Sequence, residues 1–294
     1  NNMAPNITVI RVKPTFLRRF LIERWLVNNV KPDDVVLCFG NLPPLFTLRG
    51  RVVLFIQNRY LVDNVRLIGI PPRVRLRLWL ERLWLFRRIA EVNELIVQTP
   101  SMKSLLEKKM VQEIPIRVFP FVGNKIPVPR NNQVLKKFQD KSFDFLYVAS
   151  GEKHKNHKKL IEAWCLLAKE GVSPSLKLTV NIKQFPELCV WIEKVSEQYR
   201  LDVSNVGDVQ QGQIKELYKG ARALIYPSIL ESFGLPLIEA RQNRLPVLAP
   251  ELDYVRDILD PEQTFDPASS RSIARAVKRY MKIGEQELPL QDAS

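Results

Sequence analysis

Two glutamates separated by seven residues enclose the segment of the chain with the clearest chemical potential. Between Glu231 and Glu239, the residues Gly234 and Pro236 predict a tight loop that leads into a helix from about Leu235. The free amides and the positive dipole at the start of a helix bind anions, and glycine lets a phosphate approach the backbone closely. The two carboxylates would accept hydrogen bonds from hydroxyl groups. Phosphate binding beside hydroxyl binding is the chemistry that a sugar nucleotide requires.

The elements that position this segment alternate along the chain. In the second half, apolar runs predict strands over 143–149, 175–180, 203–206, 223–226 and 246–249, with helices over 158–169, 186–199, 213–220, 237–242 and 270–281. In the first half they predict strands over 6–12, 34–39, 52–57, 94–98 and 116–121, with helices over 15–30, 74–91 and 101–110, the last capped by Ser101. Strands that alternate with helices indicate parallel sheets covered on both faces. The polar, proline-containing stretch 122–137 predicts a boundary between two α/β domains, 1–137 and 138–294.

Two isolated glutamates would also fit a charge near a helix N-terminus and a solvated surface residue, but the residues around them form a longer pattern. The motif contains Phe-Gly-Leu-Pro, follows Tyr226-Pro-Ser and precedes Pro246-Val, and it resembles the nucleotide-sugar site of the family 4 glycosyltransferases of the type that builds bacterial surface polysaccharide. Further similar segments begin at Arg88, Tyr147, Asn205 and Phe265. The resemblance implies the GT-B fold, in which two Rossmann-like domains with parallel sheets face a cleft. Acceptor and membrane contact would belong to 1–137, and nucleotide-sugar binding to 138–294.

The resemblance also implies a role for each matching position. Glu231 is the implied catalytic residue, which holds the donor sugar and its cationic transition state, and Glu239 would accept hydrogen bonds from the ribose. Lys155 would neutralise the donor diphosphate. Gly234 and Leu235 would offer their amides to the phosphates. The other implied donor-binding residues are Ser150, Gly207, Ser232 and Phe233.

Several features depart from the family's pattern. Ser150 stands where the family usually pairs its lysine with an arginine. Arg244 stands where the family mostly has glycine, and we expect this position to affect a loop rather than the chemistry. No histidine precedes residue 154, so the first domain has no imidazole base. The acceptor-side candidates are Asn41, Asn58 and Arg59. The start of the chain resembles the family's second strand, which predicts an incomplete or reduced N-terminal domain.

No Asp-x-Asp pair occurs, so the metal clamp of the other large glycosyltransferase fold is missing. We expect a lysine and a helix dipole to act in its place, with no metal ion and no cofactor. The departing diphosphate oxygen can take the acceptor proton on the same face of the sugar, which fits a retaining mechanism. The alternative function is nucleotide or nucleic-acid binding without transfer. Basic residues mixed with bulky aliphatics, rather than a polar groove with stacking aromatics, disfavour nucleic acid.

The charge is unevenly distributed along the chain. Residues 1–140 hold 24 Lys and Arg against 10 Asp and Glu, whereas 141–294 hold 21 of each, so the net charge of +14 lies in the first part. Such an excess favours contact with phosphate-bearing lipid or nucleic acid. Three cysteines without C-x-x-C spacing and two histidines are too few for a typical structural zinc site and fit a reducing compartment. No apolar run reaches the ~18–20 residues that span a bilayer, and the first ten residues do not resemble a signal peptide.

The segment 72–91 predicts a helix with two apolar stripes. The stripe with Val74, Leu78, Leu85 and Ile89 would pack on a sheet. The second stripe carries aromatic residues beside arginines, which suits the headgroup region of anionic lipid. The alternative is that both stripes are buried between the domains, with the arginine heads reaching solvent. The predicted membrane-facing residues are Arg75, Arg77, Trp79, Arg82, Leu83, Phe86 and Arg88. We therefore expect a cytoplasmic protein, peripheral on the inner face of the membrane, with a nucleotide-sugar donor, a lipid-linked or glycan acceptor and no nucleic acid as partners.

Overall fold

The computed structural model describes residues 9–13, 15–64, 71–120 and 141–283. The chain divides into two compact units, Asn1–Phe121 and Val122–Ser294. The predicted domain boundary after residue 137 lies outside the described residues, as do residues 6–8 of the first predicted strand. Residues 9–12, the described part of that strand, are irregular. In the described part of the chain, no helix has both the length and the apolar character needed to cross a bilayer.

The described residues of unit 1 contain a sheet of four parallel strands in the order β1-β2-β3-β4. The elements are α1 (Phe16–Asn29), β1 (Val35–Cys38), β2 (Arg51–Ile56), α2 (Arg59–Val62), α3 (Pro72–Arg88), a 3-10 turn (Ile89–Glu91), β3 (Glu94–Val97), α4 (Pro100–Glu107) and β4 (Ile116–Val118). Aliphatic runs fill β2 and β3, and Leu54 and Leu95 are fully buried in the same core cluster as Leu85 of α3. The α4 helix begins at Pro100 because the Thr99 hydroxyl accepts a hydrogen bond from the Met102 amide, so the predicted cap at Ser101 is wrong.

The described residues of unit 2 contain a sheet of six parallel strands in the order β10-β9-β8-β5-β6-β7. The strands are β5 (Phe143–Tyr147), β6 (Leu176–Leu178), β7 (Val203–Asn205), β8 (Ala221–Ile225), β9 (Val247–Pro250) and β10 (Gln263–Phe265). The helices are a 3-10 turn (Lys153–Lys155), α5 (His157–Lys169), α6 (Pro186–Tyr199), α7 (Gln211–Gly220), α8 (Leu235–Gln242), α9 (Asp253–Arg256) and α10 (Ser270–Met281). Trp164 of α5 anchors the core, since its ring is 1% exposed and its Nε1 donates to the Pro174 carbonyl at 2.8 Å.

Both sheets are parallel and helices connect their strands, except between β1 and β2, so the predicted α/β class is confirmed. The long elements agree with the sequence patterns, and α6 and α10 have the predicted bounds. The short elements α2, α9 and β10 were not predicted, although the equally short strands β6 and β7 were.

The end of α8 explains why a glycine is common where this chain has Arg244. Arg244 has a φ of +55°. Its amide donates to the Arg241 carbonyl at 3.0 Å, and the Leu245 amide donates to the Ala240 carbonyl at 2.9 Å. This pair of hydrogen bonds is the Schellman motif, whose left-handed position favours glycine. A Cβ in this left-handed conformation costs ~1–2 kcal/mol. The preference for glycine at this position therefore comes from the backbone conformation of the loop.

Arg244→Gly should raise the free energy of unfolding by about 1 kcal/mol, because glycine adopts the left-handed conformation without a Cβ clash and loses only part of that gain to unfolded-chain entropy. Chemical denaturation followed by circular dichroism measures the change. Arg275→Gly is the matched control, since Arg275 is exposed inside α10 and the same substitution there should lower the free energy by about 1 kcal/mol. Destabilisation by both substitutions would contradict this explanation.

Candidate functional site

Two loops meet at the carboxyl edge of the unit 2 sheet, one after β5 and one after β8. These strands are neighbours, with β6 on the far side of β5 and β9 on the far side of β8. The chain therefore reverses its direction of winding between β5 and β8, and open parallel sheets bind ligands in the crevice at such a point. The loop after β5 carries Lys155, and the loop after β8 carries Glu231. The topology brings together two residues that the sequence separates by 76 positions.

Main-chain contacts hold these two loops against each other. The Asn156 side-chain amide donates to the carbonyls of Pro227 at 3.2 Å and Pro267 at 2.7 Å. Asn156 itself has a φ of +64°, a left-handed conformation that asparagine tolerates. The carbonyl of His154 accepts a hydrogen bond from the Ile229 amide at 2.9 Å. Both loops are thus fixed by hydrogen bonds before any ligand binds.

An ion pair lies at the centre of the crevice. The Lys155 Nζ is 2.7 Å from the Glu231 Oε1, and the two side chains are 15% and 11% exposed. The Tyr226 hydroxyl donates to the same oxygen at 2.7 Å. Burial, and then the charge of Glu231, raise the pKa of Tyr226 well above its ordinary value, so the phenol remains a donor. The Tyr147 hydroxyl donates to the Lys155 carbonyl, which fixes the lysine's backbone.

The start of α8 offers free amides beside this ion pair. Gly234 is the N-cap residue with a φ of +75°, and a Cβ on it would lie 3.2 Å from the Leu237 Cδ1. Within the described residues, the amides of Gly234 and Leu235 have no hydrogen-bond partner. Phe233 is buried and Leu235 is exposed. Uncapped amides and the helix dipole together favour an anion at this position.

The second glutamate of the motif is also held by a buried tyrosine. The Glu239 Oε2 accepts a hydrogen bond from the Tyr218 hydroxyl at 2.8 Å. Tyr218 lies on α7 and is 1% exposed, and burial followed by the charge of Glu239 raises the pKa of its phenol. Glu239 is half-buried rather than solvated, so its carboxylate has a fixed orientation.

Residues 130–292, more than half of the chain, match the family model described as glycosyl transferases group 1. The chain belongs to this family. The serotype-specific mannosyltransferase WbdA of Escherichia coli is 28% identical over 174 residues, which cover 54% of this chain and 20% of WbdA. The O-antigen chain mannosyltransferase RfbU of Salmonella typhimurium is 34% identical over 82 residues, which cover 28% of this chain and 23% of RfbU. The chain therefore spans about a fifth of the length of the curated relatives that it matches.

Solved structures of other proteins share the fold of this group 1 family member. TarM superposes with a TM-score of 0.65 at 17% identity, over 89% of this chain and 51% of TarM. A UDP-forming α,α-trehalose-phosphate synthase from Burkholderia vietnamiensis superposes with a TM-score of 0.62 at 11% identity, over 90% of this chain and 70% of that enzyme. At these identities the likeness concerns the fold alone. The predicted GT-B fold class and the resemblance to group 1 glycosyltransferases are confirmed.

The remaining donor-side candidates of this family member lie along the same edge of the sheet or have local partners. Ser150 donates to the Glu152 carboxylate in the loop after β5. Gly207 has a φ of +73° and follows β7, two strands from β5, while the Gly207 amide donates to the Asn205 side chain at 3.3 Å. Ser232 is half-buried between the catalytic candidate and the start of α8. Their donor-binding roles stay predictions.

The acceptor-side candidates lie in unit 1, where each has a structural partner. The Asn41 Oδ1 accepts hydrogen bonds from the amides of Gln57 at 2.6 Å and Asn58 at 2.8 Å. Asn58 in turn caps α2 by accepting from the Tyr60 amide at 3.0 Å. Arg59 forms an ion pair with Asp63 at 2.9 Å. These contacts shape the loop after β2, and acceptor binding by these residues stays a prediction.

Three of the predicted membrane-facing residues on α3 are turned towards unit 1 itself. Arg82 donates to the main-chain carbonyls of residues 60 and 63, and Phe86 packs against the core. Arg88 contacts Glu91 at 3.7 Å. These three side chains are half-buried rather than fully exposed, and their membrane-facing role stays a prediction. Arg75, Arg77, Trp79 and Leu83 are exposed, and their contact with a membrane stays a prediction.

A buried histidine beneath the ion pair was not predicted as part of the site. His157 is 3% exposed, and its ring centroid lies 4.8 Å from that of Tyr147. In the described part of the chain, neither ring nitrogen has a hydrogen-bond partner. Burial, followed by the charges of Lys155 and His154, lowers the pKa of His157 from 6.5 to about 3. The imidazole is therefore neutral and fills space under Tyr147.

This burial predicts a specific loss of stability in acid. Below pH 6.5 the unfolded chain binds a proton at His157, and the folded protein does so only near pH 3. The free energy of unfolding should therefore fall as the pH decreases through this window, by up to about 1.4 kcal/mol per pH unit from this residue. In His157→Phe, the loss between pH 7 and pH 5 should be smaller by about 2 kcal/mol. Denaturation at the two pH values measures this difference.

Lys158→Gln is the matched control for that measurement. Lys158 is the next residue along α5 and is exposed, so this variant should keep the pH profile of the unaltered protein. Identical pH profiles for His157→Phe and the unaltered protein would contradict the burial of a neutral imidazole.

Proposed function

We propose that the protein is a glycosyltransferase that moves a sugar from a nucleotide-sugar donor to a lipid-linked or membrane-presented glycan acceptor. One observation carries the proposal, namely the pairing of Lys155 with Glu231 at the reversal point of the unit 2 sheet, next to the free amides that begin α8. A cation and free amides suit a diphosphate, and the adjacent carboxylate suits sugar hydroxyls. Membership of the glycosyl transferases group 1 family supports the same function.

The donor diphosphate would replace Glu231 as the partner of Lys155 and accept hydrogen bonds from the amides of Gly234 and Leu235. These groups supply positive charge from the chain's own residues, so we propose that transfer needs no metal ion. Addition of a chelator should therefore leave the transfer rate unchanged. Loss of activity that Mg²⁺ or Mn²⁺ restores would contradict metal independence.

Glu231, released from Lys155 and still bound to Tyr226, would face the donor sugar. Its negative charge would stabilise the cationic character that the sugar develops as its bond to the diphosphate breaks. The departing phosphate oxygen would take the proton of the acceptor hydroxyl on the same face, which retains the configuration of the sugar. Glu239, oriented by Tyr218, would accept hydrogen bonds from the ribose hydroxyls.

The names of the relatives favour mannose as the transferred sugar. WbdA and RfbU are both mannosyltransferases, and RfbU acts on the O-antigen chain. An acceptor of that type would be attached to a membrane lipid, and the positive charge of residues 1–140 supports contact with an anionic membrane. We accordingly propose a peripheral position on the cytoplasmic face of the membrane, where nucleotide sugars are available.

Isothermal titration calorimetry with GDP, UDP, ADP and dTDP tests the donor site directly. At least one nucleoside diphosphate should bind, and the same base should then be preferred in a screen of nucleotide-sugar hydrolysis. The absence of binding by all four up to millimolar concentration would contradict the proposed function.

A further inference from the structure

Asn156 occupies a position at which an asparagine usually serves its own helix. It is the N-cap residue of α5, where an asparagine side chain normally accepts a hydrogen bond from an amide of the first turn. Among the residues that the structure describes, the Asn156 side chain makes no such bond to α5. Its φ of +64° is also a conformation that glycine adopts without a Cβ clash. The presence of asparagine here therefore needs a reason outside the helix.

The Asn156 side chain instead joins three loops at the carboxyl edge of the unit 2 sheet. Its Nδ2 donates to the Pro267 carbonyl at 2.7 Å and to the Pro227 carbonyl at 3.2 Å. Pro227 lies in the loop after β8, which also carries Glu231, and Pro267 lies in the loop after β10. Because β10, β9, β8 and β5 are successive neighbours in the sheet, one amide group links loops across four strands.

The residues just before Asn156 are fixed by other contacts at the same edge. The His154 carbonyl accepts a hydrogen bond from the Ile229 amide at 2.9 Å, and the Lys155 carbonyl accepts one from the Tyr147 hydroxyl. The Asn156 side chain adds the anchor that follows the lysine. The chain is therefore fixed on both sides of the residue whose ammonium lies in the crevice.

We propose that Asn156 is a positioning residue for Lys155, and that the loop after β10 supports the donor site through this asparagine. The inference rests on the proposed function, in which Lys155 binds the donor diphosphate. Asn156 itself touches no substrate. It holds the turn that carries the lysine, so diphosphate binding does not have to bear the cost of ordering that turn and its long side chain. An asparagine that only stabilised the fold would affect all ligands of unit 2 alike.

Asn156→Gly tests the inference, because glycine keeps the left-handed conformation and is accepted as an N-cap, while both side-chain hydrogen bonds are lost. The probe is whichever of GDP, UDP, ADP and dTDP the unaltered protein binds best. Calorimetry should show about fivefold weaker binding, the cost of ordering one long side chain, and unchanged binding of the matching nucleoside without phosphates. Asn29→Gly is the matched control, since it removes a 2.7 Å hydrogen bond to the Trp25 carbonyl within α1 and should keep both affinities.

A double-mutant cycle with Lys155→Met distinguishes positioning of the lysine from a general effect on the fold. Lys155→Met should weaken diphosphate binding about 30-fold in the unaltered protein, but only about sixfold in the Asn156→Gly background, because the effect of the asparagine acts through the lysine. Equal weakening of diphosphate and nucleoside binding by Asn156→Gly would assign Asn156 a structural role and overturn the inference.

Hydrogen exchange at the Ile229 amide provides a measurement that needs no ligand. This amide donates to the His154 carbonyl, so it should exchange faster in Asn156→Gly than in the unaltered protein, and at the unaltered rate in Asn29→Gly. Unchanged exchange in Asn156→Gly, or a 30-fold effect of Lys155→Met in both backgrounds, would overturn this inference and leave the proposed function intact. Failure of the unaltered protein to bind any of the four diphosphates would instead overturn the proposed function, and this inference with it.

Discussion

Glu231→Gln should lower the rate of sugar transfer by about 10²–10³-fold, the effect of removing a preorganised charge from a transition state. Glutamine keeps the shape of the side chain and can still accept the hydrogen bond that Tyr226 donates at 2.7 Å. We therefore expect the circular dichroism spectrum and the affinity for the nucleoside diphosphate to remain close to those of the unaltered protein. Initial rates under saturating donor measure the effect.

Glu239→Gln provides the comparison for that experiment. Glu239 lies one helical turn inside α8 and is held by Tyr218, so its proposed partner is the ribose and not the reacting carbon. The KM for the donor should rise, with a smaller change in kcat than Glu231→Gln causes. Unaltered turnover in Glu231→Gln would show that this carboxylate has no catalytic role.

Lys155→Met should weaken the binding of a nucleoside diphosphate by about 30-fold, which corresponds to the ~2 kcal/mol of a hydrogen bond to a charged group. Methionine keeps much of the length and apolar stem of lysine but removes the ammonium that lies 2.7 Å from Glu231. Binding of the nucleoside without phosphates should be unaffected, because the lysine is proposed to contact the diphosphate only. Calorimetry with the diphosphate and the nucleoside measures both values.

Lys153→Met is the matched control for the lysine. Lys153 lies two residues earlier in the same 3-10 turn and its side chain is exposed, so its loss should change diphosphate affinity much less. Equal effects of the two substitutions would assign the contribution to the overall charge of the loop. In that case the specific role of Lys155 would be wrong.

The sequence patterns were sufficient for the α/β fold class, and they singled out Lys155 and Glu231, which the structure brings within 2.7 Å of each other. Apolar runs alternating with helical periods predicted both parallel sheets, and the Glu231 motif predicted a binding site in the loop after β8. The tyrosines that hold the two glutamates were not predicted as site residues. Tyr218 lies 21 residues before Glu239 on another helix, and only the packing of α7 beside α8 brings its hydroxyl to the carboxylate. No local pattern carries that information.

The half-buried residues of α3 have a related explanation. Periodicity divides a helix into faces, but it does not reveal which neighbouring chain segments each face meets. The sequence pattern predicted Arg82 as a surface charge, whereas its guanidinium donates hydrogen bonds to the main-chain carbonyls of residues 60 and 63. No sequence pattern predicted an environment for the side chain of His157, which the fold buries under Tyr147.

The adjacency of β5 and β8 also has a consequence for how unit 2 folds. Lys155 and Glu231 come together only when β8 pairs with β5, which closes a loop that contains β6, β7 and their helices. Closing such a long loop is slow compared with forming local contacts. We therefore expect the crevice to form late in folding, and a nascent chain that ends before residue 221 lacks the strand and loop that complete it. Ligand binding would act on the completed sheet and slow its unfolding, rather than help the first strands to associate.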